Sequence, residues 1–208
     1  MHWLYFFVLV VGAYLVGAIP NGLLVSLLFG KNPLQAGSGK TGTSNTLSTA
    51  GPVAAGIVLL LDLLKGAVVV LAARLIEWPD DAWQGMAMGA TAAAAIVGHN
   101  WSVWVRLYSG KWGGGRGIIT ALGAMLLVNS WVVLVAVIVG AAALLLTRYV
   151  ALAAIAGTIA ALIAIIALGA MNMLSFWLLP GAVAWCLLVI VGFHDNIGRL
   201  LKGTETRL

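Results

Sequence analysis

An all-α integral membrane protein with about seven transmembrane helices is the fold class the chain predicts, and three observations predict it. Of its 208 residues 62% are hydrophobic and only 8% are charged, where an ordinary soluble domain carries roughly 25% charged residues. The apolar residues run in long uninterrupted blocks instead of recurring at every second or every third to fourth position, so water is not the solvent for most of the chain. The single Cys186 excludes an intramolecular disulfide, and no Cys/His cluster has the spacing of a structural zinc site. Packing within the bilayer must hold the fold.

A hydrocarbon core of about 30 Å takes roughly 20 helical residues. By that measure the blocks at 3–29, 52–76, 83–105, 118–128, 131–147, 150–170 and 174–193 form a single polytopic domain over 1–208. The first has no Lys or Arg before its apolar run, which predicts a permanent span and not a cleaved signal peptide. The second carries Asp62 three residues before Lys65, on one helix face, where the two neutralise each other in a low dielectric. A structural ion pair and a role in chemistry both stay open for them. The third contains Gly98-His99 near its end. The fourth is too short to span alone, so Asn129 and Ser130 are expected to form a tight turn near the far interface before the fifth. Arg148 and Tyr149 separate the fifth from the sixth, and the seventh runs to Phe193. Many of the 26 glycines lie inside apolar runs, as in Gly12-x4-Gly17 and Gly85-x3-Gly89, and read as close helix contacts. Trp3, Trp78, Trp83, Trp101, Trp104 and Trp112 fall near segment ends, as an interfacial belt does.

An outside N-terminus and a cytoplasmic C-terminus put Lys31, Lys40, Arg106, Lys111, Arg116, Arg148, Arg199, Lys202 and Arg207 on the cytoplasmic side, with Glu77, Asp80 and Asp81 outside. The formal charge of +5 is thus explained by topology. Its scattering between apolar segments excludes a nucleic-acid partner.

Nearly all the polar chemistry falls in three cytoplasmic segments, 30–51, 106–117 and 194–208. In the first, Gly37-Ser38-Gly39-Lys40-Thr41-Gly42-Thr43-Ser44-Asn45 is dense in glycines and hydroxyls, which lets backbone N–H groups converge on an anion such as phosphate. It is not an ATP-binding P-loop: Gly39-Lys40-Thr41 imitates the end of one, but the glycine required five positions earlier is Leu34. The second joins Gly113-Gly114-Gly115 to Arg116 just before the run from Ile118, so Gly115 to Ile118 are expected to offer N–H groups at a helix N-terminus beside a full positive charge. A positive-inside anchor with a glycine linker remains the alternative. The third offers His194 for proton transfer, with Asn196 two residues on. His99 is a second candidate on the same side, and His2 lies on the opposite face.

These segments, in this order, resemble the acyl-phosphate-dependent glycerol-3-phosphate acyltransferases, the PlsY family of bacterial membrane enzymes. The resemblance spans nearly the whole chain. It rests on Gly37-Ser38-Gly39-x-x-Gly42-x-x-Asn45, Leu61-Asp62-x-x-Lys65-Gly66, Gly98-His99, Gly114-Gly115-Arg116-Gly117-x-x-Thr120, Arg148-Tyr149-Val150 and Asn196-Ile197-x-Arg199-Leu200-x-x-Gly203-Thr204-Glu205.

The resemblance implies acyl transfer from acyl phosphate to the 1-hydroxyl of glycerol 3-phosphate, giving lysophosphatidic acid and inorganic phosphate for phospholipid synthesis. It implies no metal and no cofactor, membrane lipids as surroundings, a monomer, and a site on the cytoplasmic side of the bacterial inner (plasma) membrane. Carried over by position, Ser38 and Asn45 would contact phosphate, with Gly39, Gly42, Gly114 and Gly115 beside them, and Lys40, which differs from the family loop, would stand in for the charge of the Arg replaced by Ser48. Lys111 or Arg116 would supply positive charge, and His194 with Asn196 would orient the acceptor.

The chain departs from the family's pattern at several positions. Ser48 stands where the family has a phosphate-binding Arg, and Ala151 stands where it has a Ser. The family spaces its C-terminal His and Asn by three residues, whereas His194 and Asn196 are two apart, about 200° around a regular helix. The alternative is therefore a membrane protein of the same fold that binds or transports a phosphorylated or lipid ligand without acyl transfer.

Overall fold

The computed structural model describes residues 1–207, and among them every regular element is a helix. The predicted first segment is α1 (His2–Gly17) followed by α2 (Asn21–Leu28), broken at Pro20, which has no N–H to continue the ladder. The carbonyls at the break find side-chain donors elsewhere: Ser102 Oγ donates to Ala18, and Lys65 Nζ donates to Ile19 at 3.2 Å. After a polar loop come the short α3 (Thr43–Ala50) and the long α4 (Pro52–Leu75), whose Pro52 stands in the first helical turn where no N–H is needed.

The third predicted segment is divided. α5 (Asp81–Asn100) begins on Asp80, whose carboxylate accepts from the Trp83 N–H at 2.9 Å, and ends before Trp101. α6 (Val103–Ser109) starts afresh because Ser102 accepts from the Val105 N–H at 3.2 Å. One helix over 83–105 is thus corrected to two. α7 (Ile118–Leu126) is as short as expected, and Asn129 then accepts from Trp131 and Val132 N–H groups to start α8 (Ser130–Thr147). Arg148, at φ +59°, turns the chain into α9 (Val150–Ala170). α10 (Leu179–Gly192) begins five residues later than expected from 174, because Pro180 favours the opening of a helix over its interior. α11 (His194–Leu201) leaves α10 at a 55° bend.

Four stretches are long and apolar enough to cross a membrane: His2–Leu28, Pro52–Leu75, Ser130–Thr147 and Val150–Ala170. The bent pair α10 and α11 passes the same test only when taken together, as one broken span. The remaining two predicted segments are helical but differ in kind, α5 carrying polar residues at both ends and α7 being too short to cross alone.

Close backbone contacts hold α7 in place. A Cβ at Gly66 of α4 would fall on the Thr120 carbonyl, and one at Gly123 of α7 would fall on the Leu63 carbonyl. This reciprocal pair of glycines lets the two helices touch backbone to backbone, the packing that replaces hydrophobic driving force in lipid. The core between α5, α7, α9 and α10 is closed by Trp185, fully buried, whose Nε1–H donates to the Gly89 carbonyl at 2.8 Å.

Candidate active site

The first polar segment is organised by one side chain. Asn45, in the first turn of α3, is 4% exposed and reaches back into the loop before it. Its Oδ1 accepts from the Ser38 N–H at 2.8 Å, and its Nδ2 donates to the carbonyls of Pro33 (2.9 Å), Ala36 (3.2 Å) and Lys40 (2.8 Å). The loop curls so tightly around this amide that Gly37 and Gly39 take φ of +60° and +68°, and a Cβ on Gly37 would strike Asn45. Ser38 is left on the exposed rim, with Gly39 and Lys40 half-buried beside it.

The second segment is bonded to the first through its backbone. The Thr41 N–H donates to the Gly114 carbonyl at 3.1 Å, the Ser102 N–H to Gly113 at 2.8 Å, and the Gly115 N–H to His99 at 2.9 Å. The expectation that Gly115 offers a free N–H is corrected by that last bond, since the carbonyl at the end of α5 already accepts it. A Cβ on Gly42 would sit 3.8 Å from the Gly115 Cα, so the two glycine stretches face each other.

The two candidate cations separate. Lys111 is exposed just past the end of α6. Arg116 is turned toward the third segment, its guanidinium 5.2 Å from the Phe193 ring centroid and its Nε buried without a hydrogen-bond partner. Burial first, then the neighbouring Arg199, push the Arg116 guanidinium below its ordinary value, while Glu205 and Asp195 pull the other way. Such a group gains from an added anion.

The third segment follows Phe193, the residue at the bend, so the break falls before His194 and not between His194 and Asn196. The two side chains therefore stay on one helix and diverge, as their spacing requires. His194 is 68% exposed, with Nδ1 3.0 Å from the Val191 carbonyl and Nε2 2.9 Å from Asp195. Asn196 is buried and donates to Glu205 at 2.7 Å, while its Oδ1 has no partner. Arg199 holds the other oxygen of Glu205 at 2.7 Å. Asp195 also faces the first segment, 3.9 Å from Lys40 Nζ. The three segments thus meet: Thr41 on Gly114, Lys40 near Asp195, and Arg116 on Phe193.

Ser48 is exposed on α3 and donates to the Asn45 carbonyl, and Ala151 is buried in the first turn of α9. Neither adds a charge to the meeting point. Sequence reasoning missed the part played by Asn100, whose Nδ2 donates to the Leu188 carbonyl at 3.0 Å and ties α5 to α10 beneath the site. It also missed the buried Oγ1 of Thr43, unpartnered beside the facing glycines.

A family model described as glycerol-3-phosphate acyltransferase matches residues 7–203. The chain belongs to the glycerol-3-phosphate acyltransferase family. A glycerol-3-phosphate acyltransferase of Thermus thermophilus is 35% identical over 196 residues, covering 94% of this chain and 92% of its own. One of Syntrophotalea carbinolica is 37% identical over 203 residues, with 97% of each chain covered. Among solved structures, the chain is similar to PlsY (YgiH), an integral membrane glycerol 3-phosphate acyltransferase, in its glycerol 3-phosphate form. The TM-score is 0.85 at 32% identity, over 98% of this chain and 96% of that one. The lysophosphatidic acid form gives 0.82 at 31% identity, over 98% and 95%. The resemblance read from the polar segments is therefore to the right family.

Proposed function

We propose that this member of the family moves a fatty acyl group from acyl phosphate to the 1-hydroxyl of glycerol 3-phosphate, giving lysophosphatidic acid and inorganic phosphate. The observation that carries the reading is the meeting of three distant polar segments near Arg116: the Thr41 N–H bonds the Gly114 carbonyl, Lys40 lies 3.9 Å from Asp195, and the Arg116 guanidinium, its Nε buried without a partner, sits 5.2 Å from the Phe193 ring centroid. A buried guanidinium with an unsatisfied N–H is a group that a bound phosphate would satisfy.

The chemistry asks for little more. The glycerol oxygen attacks the acyl carbonyl carbon, a C–O ester bond forms, the acyl–phosphate C–O bond breaks, and the hydroxyl proton ends on the departing phosphate. Because the donor is already activated, holding the two phosphates side by side against positive charge supplies most of the rate. Arg116 and Lys40 provide that charge, with Ser38, Gly39 and Gly42 beside them and Gly114 buried behind, its carbonyl held by the Thr41 N–H. His194 takes the hydroxyl proton through Nε2 and passes it to the departing phosphate, while Nδ1–H donates to the Val191 carbonyl. Asp195 lies 2.9 Å from His194 Nε2 and 3.9 Å from Lys40 Nζ, so the reading requires it to turn from His194 to Lys40 before Nε2 meets the acceptor. Asn196, which points away from His194, is fixed through Nδ2 by Glu205, itself held by Arg199, and keeps the C-terminal segment in place. The reaction as written uses no metal and no acyl-CoA.

An apolar cleft between α7, α8, α9 and α10 starts at Ile118, two residues past Arg116, and runs by Leu122, Ala136, Val189, Cys186 and Trp185. It suits the acyl tail, each buried methylene contributing about 0.8 kcal/mol. A seven-segment arrangement with the N-terminus outside, the site on the cytoplasmic side of the bacterial plasma membrane and one chain as the working unit completes the reading. Its support is the charge asymmetry, and the clustering of Trp3, Trp78 and Trp83 at the other end of the helices.

The test is the purified protein in detergent with palmitoyl phosphate or palmitoyl-CoA, glycerol 3-phosphate and a chelator. Release of phosphate with formation of lysophosphatidic acid from palmitoyl phosphate alone is the expected result. Absence of turnover with any acyl phosphate would overturn it in favour of a binding or transport protein of the same fold.

A further inference from the structure

The proposed reaction leaves unused the most heavily buried ionisable cluster of the molecule. Asp62 and Lys65 of α4 are 1% and 6% exposed and lie 2.9 Å apart. Asp62 Oδ1 also accepts from Asn21 Nδ2 at 2.9 Å, and Lys65 Nζ holds the Ile19 carbonyl at the break between α1 and α2. The imidazole of His99, at the end of α5, has Nδ1 3.8 Å from the same Asp62 oxygen. Its opposite edge faces the glycine loop: a Cβ built on Gly115 would fall directly on Nε2, Cε1 and Cδ2 of this ring. A mobile side chain would step aside from such a contact. This one is buried and bounded by Asp62, and the His99 carbonyl holds the Gly115 N–H as well.

We infer that His99 is a positioning residue: its ring, seated on the Asp62–Lys65 pair, is the floor on which Gly115 rests, and it sets the place of Arg116 one residue on. His99 reaches no substrate in this arrangement and acts through the loop. The α1–α2 break belongs to the same device, since Asn21 and Ile19 bond the acid and the base from the other side. The cluster thereby connects a kink in the first span to the anion-binding loop. A buried pair kept only for cohesion would need no contact with a glycine loop. Moreover, a buried ion pair replaced on both sides by well-packed apolar residues of similar volume commonly leaves stability unchanged. The inference rests on the proposed reaction for the role of Arg116, but not for the contact itself.

The experiment is a double-mutant cycle read by binding. The dissociation constants of glycerol 3-phosphate and inorganic phosphate are measured by titration calorimetry on detergent-purified wild type, Gly115→Ala, His99→Ala and the double variant. Gly115→Ala is expected to weaken binding at least about tenfold, because the new methyl group meets the ring and displaces the loop. His99→Ala is expected to weaken it similarly by removing the floor. In the double variant the methyl group occupies the vacated space, so binding is expected to recover to within about tenfold of wild type, instead of showing the product of the two losses. Losses that simply multiply would overturn the inference. Asp62→Leu with Lys65→Met serves as a second reading that does not depend on the glycine. Its melting temperature should fall, because Asn21 Nδ2 and the Ile19 carbonyl lose their partners, and well below that midpoint phosphate binding should be weakened at least about fivefold through a His99 ring that has lost its seat. Unchanged phosphate binding in the folded variant would reduce the pair to packing and overturn the inference. Wild-type turnover is scored separately: its absence would remove the acyltransfer reading while the binding cycle still decides the contact.

Discussion

Replacing Asn45 distinguishes a phosphate ligand from a residue that shapes the loop. Its amide makes four contacts with the segment before it, one accepted and three donated, at 2.8 to 3.2 Å. The two amide protons are shared among three carbonyls, so the side chain is worth about three independent hydrogen bonds. At roughly 0.5–1.5 kcal/mol net for each, Asn45→Ala should cost about 2–4 kcal/mol of loop stability. Because the loss is local, it should appear as a rise of about 30- to 900-fold in the open population of the stretch 33–40, with little change in the spanning helices. Proteolysis of that stretch under native conditions, or amide exchange at Ser38, measures it. Asn45→Asp is as instructive. A carboxylate has no proton to give to the Pro33, Ala36 and Lys40 carbonyls, so it should open the loop at least as far as alanine does. If Asn45→Ala kept the stretch protected while abolishing glycerol 3-phosphate binding, the side chain would be a direct ligand and the scaffold reasoning would be refuted.

Arg116→Lys should give a pH-dependent enzyme. Burial and Arg199 depress a cation here, and a depressed cation loses its charge as pH rises; arginine is effectively always charged, whereas a lysine starts lower and is brought toward the working pH range. Relative to wild type at each pH, which removes the effect of phosphate's own ionisation, the variant's phosphate affinity is expected to fall progressively as pH rises toward about 9; a ratio that stays constant with pH would contradict this. His194→Ala should reduce kcat at least about a hundredfold, and Lys111→Ala, exposed beyond α6, should change it less than about threefold. The reverse order would exchange their assignments. Gly66→Val should lower the melting temperature in detergent, overpacking the α4–α7 contact by about 1–3 kcal/mol, and an unchanged midpoint would show that the helices do not touch as described.

The long apolar blocks were legible because their chemistry decides their surroundings: α4, α8 and α9 lie within a residue of the predicted bounds. The turn at Asn129 was legible too, since an asparagine before an apolar run is a local cap. The division of α5 from α6 was not, because Ser102 caps α6 while its hydroxyl is fixed by the Ala18 carbonyl, a partner distant in sequence. The late start of α10 had a readable signal in Pro180 that apolarity overrode. At the site, the crowding of glycine and hydroxyl residues pointed to the right segments, and the spacing of His194 and Asn196 foretold their divergence. What periodicity could not separate is a glycine loop open to an anion from one wrapped around an asparagine, for both need the same positive φ angles. Nor could spacing choose between Lys111 and Arg116, a choice that rests on which of them the C-terminal helix covers.

Amide hydrogen exchange with and without glycerol 3-phosphate tests the central claim most directly. If three remote segments form one anion site, ligand should slow exchange together in 38–45, 114–118 and 194–205, with the outer ends of the helices unaffected. Protection confined to one of these segments would contradict the account.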